Sequence, residues 1–282
     1  MIENQIWMDR TIRNALEEDL GSGDITTEAI IPPEIEGKAV LEAREHMVLA
    51  GLPVFCRVFE LVGSNISFSV LFNDSQTVPG GTQICTVTGP LSAILKGERT
   101  ALNFIQRMSG IATLTREYVE KASSGKAKIL DTRKTVPGLR HFDKYAVRMG
   151  GGSNHRIGLF DGILIKDNHI AVAGSISRAV ELAKDNAPHT IKMEVEVEVE
   201  NLTGVKEAVQ AGADIILLDN MTQQDIKKAV DFVQGKVLLE ASGGVNLDNI
   251  GEISKTGVDL ISVGALTHSI KAMDLSLEVL RE

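Results

Sequence analysis

The segment Asp214-Ile215-Ile216-Leu217-Leu218-Asp219-Asn220 is an apolar run that ends in polar residues. Val237-Leu238-Leu239-Glu240-Ala241-Ser242-Gly243-Gly244 and Leu260-Ile261-Ser262-Val263-Gly264-Ala265-Leu266-Thr267-His268 repeat that design. Together with Ile191–Val199 they recur every 21 to 23 residues. Amphipathic stretches at Val205–Ala211, Asp225–Phe232 and Asn249–Lys255 lie between them. Short strands alternating with helices at this period are βα units, which imply a parallel sheet with crossover helices. Lys128–Leu130 and Gly162–Ile165 bring the strand count to six, fewer than the eight of a complete barrel. An open doubly wound sheet is the competing architecture. The strand ends decide between the two. Every run delivers polar or glycine residues at its carboxyl end, including Asp131-Thr132-Arg133-Lys134 and Lys166-Asp167-Asn168-His169. A doubly wound sheet serves its crevice from only a few strands, whereas a barrel gathers all of them around one mouth. The expected fold class is α/β, an irregular, incomplete α/β barrel.

The first part of the chain reads as α+β. A helix is expected over residues 5–18, then strands at Gly37–Ala43, Ile66–Phe72 and Thr82–Val87. Asn73-Asp74 and Pro79-Gly80-Gly81 supply turns between them. A long helix starts from Ser92 as N-cap, and Gly110 is expected to interrupt it before a second helix, Ile111–Ala122. This gives an N-terminal domain over 1–110 and a barrel domain over 111–269, with the tail 270–282 packing on the former.

The chain has 282 residues, a net charge of −9, 43% apolar and 24% charged residues, the balance of a globular protein. No run of 18 apolar residues suggests a membrane span, and Met1-Ile2-Glu3-Asn4 lacks the basic-then-apolar pattern of a signal peptide. Cys56 and Cys85 read as small buried apolar residues in a reducing, cytoplasmic protein. Acidity and an aromatic content of 4% disfavour nucleic-acid binding. Against this background, residues 126–169 hold nine Lys or Arg and four Asp, a local charge of +5. A basic island in an acidic chain suits a small, strongly anionic ligand.

Within the island, Arg133, Lys134, His155, Arg156 and Lys166 form the candidate cationic set. Guanidinium forks match carboxylate and phosphate oxygens, and lysine supplies a compact charge. Surface solvation is the bland alternative for any one of them. Met193–Glu200 alternates strictly, so Glu194, Glu196, Glu198 and Glu200 share one face. They are either the wet side of an edge strand or carboxylates at the mouth beside Asp219. In the latter place they could hold Mg²⁺ and stabilise positive charge at a sugar carbon. Ser242-Gly243-Gly244 and Gly264-Ala265-Leu266 are phosphate-cradle candidates or plain tight turns. Gly150-Gly151-Gly152 reads as a flexible connection. His46, His141, His189 and His268 read as structural or exposed, and no Cys/His cluster has zinc spacing.

These residues resemble the quinolinate phosphoribosyltransferases. The matching segments include Glu18 to Thr26, Glu98 to Asn103, Ser109 to Thr113, Asp131 to Gly138, Lys144 to Val147, Gly150 to Arg156 and Leu164 to His169. The glutamate alternation, Leu218-Asp219-Asn220, Ala241 to Gly244 and Gly264 follow in order. The resemblance spans nearly the whole chain. It implies an N-terminal α/β sandwich before the barrel, and a homodimer or higher oligomer. The implied substrates are quinolinate and 5-phosphoribosyl-1-pyrophosphate, with Mg²⁺ as cofactor and nicotinate mononucleotide, pyrophosphate and CO₂ as products. It assigns Arg133, His155, Arg156 and Lys166, near Thr132, to the dicarboxylate, with Arg99 reaching across from a second subunit. Lys134, Lys166, Glu198, Asp219, Ser242, Gly243, Gly244, Gly264, Ala265 and Leu266 fall on the phosphoribosyl side. Lys134, Lys166, Glu198 and Asp219 are the implied catalytic residues, and Glu198 with Asp219 the metal carboxylates. Glu196 competes with Glu198 for that role, and the spacing to Asp219 favours Glu198. A related transferase acting on another heteroaromatic acid, as in paralogues associated with molybdenum transport, is the nearest alternative. A Schiff-base aldolase using Lys166 and a non-enzymatic anion-binding module are more distant ones.

Overall fold

The computed structural model describes residues 5–188 and 193–280, so His189 and the first two residues of the strand expected at Ile191–Val199 lie outside the described residues. In chain order the elements begin with α1 (Gln5–Leu20), α2 (Ile25–Ile30), β1 (Glu36–Ala43), β2 (Met47–Val48), α3 (Leu52–Val62), β3 (Ser67–Val70), β4 (Thr77–Val78), β5 (Thr82–Pro90) and α4 (Leu91–Lys121). There follow β6 (Lys128–Leu130), α5 (Arg140–Met149), β7 (Ile163–Ile165), α6 (Asp167–Ala173), α7 (Ile176–Asn186), β8 (Val195–Val199), α8 (Leu202–Ala211) and β9 (Ile215–Asp219). The last are α9 (Gln223–Val233), β10 (Leu238–Ser242), α10 (Ile250–Ser254), β11 (Leu260–Ser262), α11 (Ala265–His268) and β12 (Leu275–Val279). Two compact units contain them. One holds Met1–Arg116, Thr135–Gly151 and Ser269–Glu282, and the other Glu117–Lys134 and Gly152–His268.

In the first unit, β12, β1, β5 and β3 form an antiparallel sheet in that order. Alternation along β1 buries Ala39, Leu41 and Ala43, and α3 adds Phe55, Val58 and Phe59 to the core. β12 pairs with β1 through Leu41↔Leu277. Several expectations change here. α4 runs unbroken through Gly110, and it starts at Leu91, so Ser92 lies inside the first turn. Gly110 serves close approach: a Cβ there would stand 2.2 Å from the Lys271 carbonyl oxygen. The segment 135–151, expected in the barrel, also belongs to this unit. Its α5 buries Phe142 against Trp7 and Phe104, with ring centroids 4.8 and 5.2 Å away. Gly150 is a packing residue rather than a flexible link, since a Cβ would meet the Ala112 carbonyl oxygen at 2.4 Å.

The second unit is an incomplete α/β barrel. Its six strands are all parallel, in the order β6-β11-β10-β9-β8-β7. The repeats are punctuated by side-chain caps: Ser175, Asn201 and Thr222 accept from the amides of Arg178, Gly204 and Asp225 at the starts of α7, α8 and α9. β6 and β7 follow one another in sequence yet occupy opposite sheet edges. Beside β6 the chain at Ser153 forms an isolated parallel bridge to Leu130. The Ser153 amide donates to Ile129 O at 2.8 Å, and Asp131 N donates to Ser153 O at 3.2 Å. A loop, not a strand, thus lies along that edge.

Candidate active site

Parallel pairing aligns the carboxyl ends of the strands, and most of the candidate residues stand there. The Lys166 ammonium, just past β7, donates to Glu198 Oε2 on β8. Asp219 ends β9 opposite Ser242 on β10, and Asn220 Nδ2 donates to its Oδ2 at 2.8 Å. Gly243 and Gly244 follow with φ of +88° and +62°. Both lie in the left-handed region that favours glycine, and a Cβ on Gly243 would meet Asn220 Oδ1 at 2.3 Å. These loops offer backbone N–H groups to anionic oxygens, as a phosphate cradle requires. At β11, Gly264 lies under the Lys134 and His268 side chains: a Cβ there would be 3.1 Å from Lys134 Cδ and 3.1 Å from His268 Nε2. Thr267 Oγ1 donates to the Lys134 carbonyl at 2.7 Å, and Lys134 N donates to Thr132 Oγ1 at 3.0 Å. His268 is therefore a neighbour of this loop, which its isolated place in the sequence does not disclose. Leu266 is fully buried, so only its backbone faces this edge chemically.

A second cluster lies in the interior of the same unit. Asp131, fully buried, accepts from His155 N at 2.9 Å and from the Asn154 side chain. His155 Nδ1 accepts from Arg156 N at 2.8 Å, while Nε2 stands 3.0 Å from Glu196 Oε2 and 3.8 Å from Glu240 Oε2. Glu196 and Glu240 are 5% and 1% exposed. Their Oε1 atoms are buried without a hydrogen-bond partner, as is Arg156 Nε. Burial first, and then the Glu196 charge, push the Glu240 carboxyl up to about 7. Burial also lowers the Arg156 pKa, and the positive charge of Arg133 lowers it further. The two guanidiniums are thus near enough to repel. A cavity of about 790 Å³ is lined by Lys128, Asn154, His155, Arg156, Glu194, Glu196 and Glu240, among others. Lys134, Lys166, Glu198, Asp219 and the glycine loops do not line it. The cationic set of the sequence is thereby divided, with His155 and Arg156 at the cavity and the lysines at the carboxyl edge.

Glu194 and Glu200 are exposed, so of the four alternating glutamates only Glu196 and Glu198 are enclosed by the fold. Arg99 lies exposed on α4 in the first unit. Glu196 and Glu240 matter more than their sequence places suggest. Glu240 reads as a strand exit but sits in the middle of β10, and a buried carboxylate has no local signature.

The N-terminal domain model of quinolinate phosphoribosyl transferase matches residues 24–109, and the C-terminal domain model matches residues 111–278. The chain belongs to the quinolinate phosphoribosyltransferase family. It is 42% identical over 276 residues to the probable nicotinate-nucleotide pyrophosphorylase (carboxylating) of Bacillus subtilis, across 98% of this chain and 94% of that protein. The solved nicotinate-nucleotide pyrophosphorylase of Francisella tularensis is 46% identical with a TM-score of 0.92, covering 98% and 97% of the two chains. NadC from Streptococcus pyogenes is 42% identical with a TM-score of 0.94, covering 99% of each. Members of the quinolinate phosphoribosyltransferase family with these names share both units, so the irregular barrel with its sandwich is the family fold. The carboxylating names also favour the quinolinate reading over the molybdenum-associated alternative. The aldolase alternative loses ground on geometry: Lys166 is bound to a carboxylate and 45% exposed, unlike the desolvated amine such a nucleophile needs.

Proposed function

We propose that this protein transfers the phosphoribosyl group of 5-phosphoribosyl-1-pyrophosphate to quinolinate and releases CO₂ and pyrophosphate, forming nicotinate mononucleotide. Beyond family membership, the observation that carries the reading is the carboxyl edge of the barrel, where the Lys166 ammonium meets Glu198 and Asp219 stands beside Ser242 and the positive-φ Gly243 and Gly244. Arg133 and Arg156 suit an aromatic dicarboxylate, which supplies two carboxylates at fixed separation. Lys166 adds a third cation, and Arg99 of a second subunit a fourth. The glycine loops after β10 and β11, with Lys134, receive the phosphate and pyrophosphate oxygens. The pyridine nitrogen attacks the anomeric carbon, and the bond to pyrophosphate breaks with its electrons leaving on oxygen. Glu198 and Asp219 face the positive charge that develops on the sugar. The carboxylate beside the cationic ring nitrogen then departs as CO₂, the ring carbon keeps the electron pair, and a proton replaces it. Orientation and exclusion of water are the main contributions to that step.

Glu198 and Asp219 offer hard oxygen donors at one strand edge, a set that suits Mg²⁺ with substrate phosphates completing its shell. When bound, the ion neutralises charge on the leaving pyrophosphate. The working unit proposed is a homodimer. Cys56 and Cys85 are free thiols, which supports a reducing, cytoplasmic setting, and no helix among the described residues is long and apolar enough to cross a membrane. The test is incubation of the purified protein with quinolinate, phosphoribosyl pyrophosphate and Mg²⁺, with and without chelator. Metal-dependent nicotinate mononucleotide with one CO₂ per turnover is expected. Turnover of nicotinate but not quinolinate would sink the reading.

A further inference from the structure

Glu196 and Glu240 do not reach the carboxyl edge, yet both are drawn out of water beside a residue of the substrate set. Burying two carboxylates is costly unless they are paired and hydrogen-bonded. The hydrogen bonds show what is held. His155 Nδ1 accepts the Arg156 amide, so Nδ1 carries no hydrogen and the hydrogen of the neutral ring is on Nε2. That Nε2–H points at Glu196 Oε2, 3.0 Å away, with Glu240 Oε2 3.8 Å from the same nitrogen, in charge contact but beyond hydrogen-bond reach. The chain at 153–156 is otherwise tied to the barrel edge by Asp131 and the bridge at Leu130. Arg156 itself is steadied by one bond, from Nη1 to Gly162 O at 2.9 Å.

We propose that Glu196 and Glu240 are positioning residues for dicarboxylate binding: they fix the His155 ring as its Nε2–H tautomer, and thereby aim Arg156 at the substrate. Arg156 follows because its backbone amide is the donor that the ring nitrogen captures. The same three residues bring metal-ligand atoms within 4.8 Å of one another. A metal on Nε2 would have to displace that hydrogen while Nδ1 is already engaged, which would require an imidazolate, so a hydrogen-bonded cluster is the assignment.

The proposal rests on the quinolinate reading, and its test separates the two. Glu196→Leu removes the acceptor and Glu240→Leu the second carboxylate at 3.8 Å, while Glu196→Gln and Glu240→Gln keep a carbonyl oxygen at the same place. Glu196→Leu should raise the KM for quinolinate about tenfold, the loss of one hydrogen bond of about 1.4 kcal/mol, and Glu240→Leu should raise it by less. The KM for phosphoribosyl pyrophosphate should stay within about twofold, and the Gln variants should recover most of the loss. An equal rise in both KM values, or an unchanged quinolinate KM in the Leu variants, overturns the proposal. Absence of quinolinate turnover by the unaltered protein would instead overturn the function. Should the Leu variants fail to fold, ¹⁵N-histidine spectra of the unaltered protein decide, the His155 signal being assigned by its loss in His155→Phe. Hydrogen on Nε2 supports the proposal. Hydrogen on Nδ1, or a stoichiometric Zn²⁺ complex at that ring, refutes it.

Discussion

Glu196 and Glu198 lie two residues apart on one face of β8, yet they end in different regions. Glu198 faces the strand ends, where Lys166 neutralises it and both side chains keep some contact with water, at 15% and 45% exposure. Glu196 lies two residues deeper, nearly sealed, against His155 and the equally buried Glu240. Advancing two residues along a strand moves a side chain by about 6.6 Å, and in an α/β barrel that distance separates the mouth from the interior. The mouth region is built for charge that arrives with substrate. The interior region is built around His155, with Glu196 Oε1, Glu240 Oε1 and Arg156 Nε buried without a hydrogen-bond partner beside the cavity.

The contrast breaks or sharpens under mutation. The largest effect is expected at the mouth. Lys166→Ala should lower kcat by about 10³-fold or more, since it removes a cation from both substrate sites and strands Glu198. Its thermal melting should move little, because the lysine is half exposed. A large loss of stability would show the mouth to be structural. Next, Arg133→Ala and Arg156→Ala should each raise the quinolinate KM by about 10- to 100-fold with folding retained. Normal quinolinate affinity in both would remove the dianion site from this part of the barrel. Arg99→Ala should be inactive alone, and mixed with Lys166→Ala it should regain about a quarter of the unaltered activity if subunits exchange at random. No recovery in proven mixed dimers would end the idea of a shared arginine.

The smallest effect concerns the interior. Glu240 titrates at about 7 in the fold against an ordinary 4.5, so between those values the native state keeps a proton that the unfolded chain has released. Stability therefore falls as pH rises through that window and levels off above it. Melting should be lower at pH 8 than at pH 5.5, by on the order of 1 kcal/mol in stability from this group. Glu240→Gln should flatten that difference. A slope that survives the substitution would assign it to other groups.

The βα period and the residues at strand ends were legible, because a parallel strand buried on both faces reads as a continuous apolar run. Strand pairs such as Asp219↔Ser242 follow from that repeat. Gly110 misled because glycine in a helix signals either a break or a close contact, and the Lys271 backbone that decides between them is about 160 residues away. Asp131, at the head of the basic island, has a role set by folding: it anchors the 154–155 backbone.

The sequence by itself determined the α/β class, the six strands, the anion-seeking island and the family. Those depend on local periodicity and on residue types at turns. Tertiary structure alone decided which of two alternating glutamates meets Lys166 and which meets His155, and that Glu240 joins the second. Pairing across strands sets depth in a barrel, and depth sets hydration, so chemically equal carboxylates acquire different work.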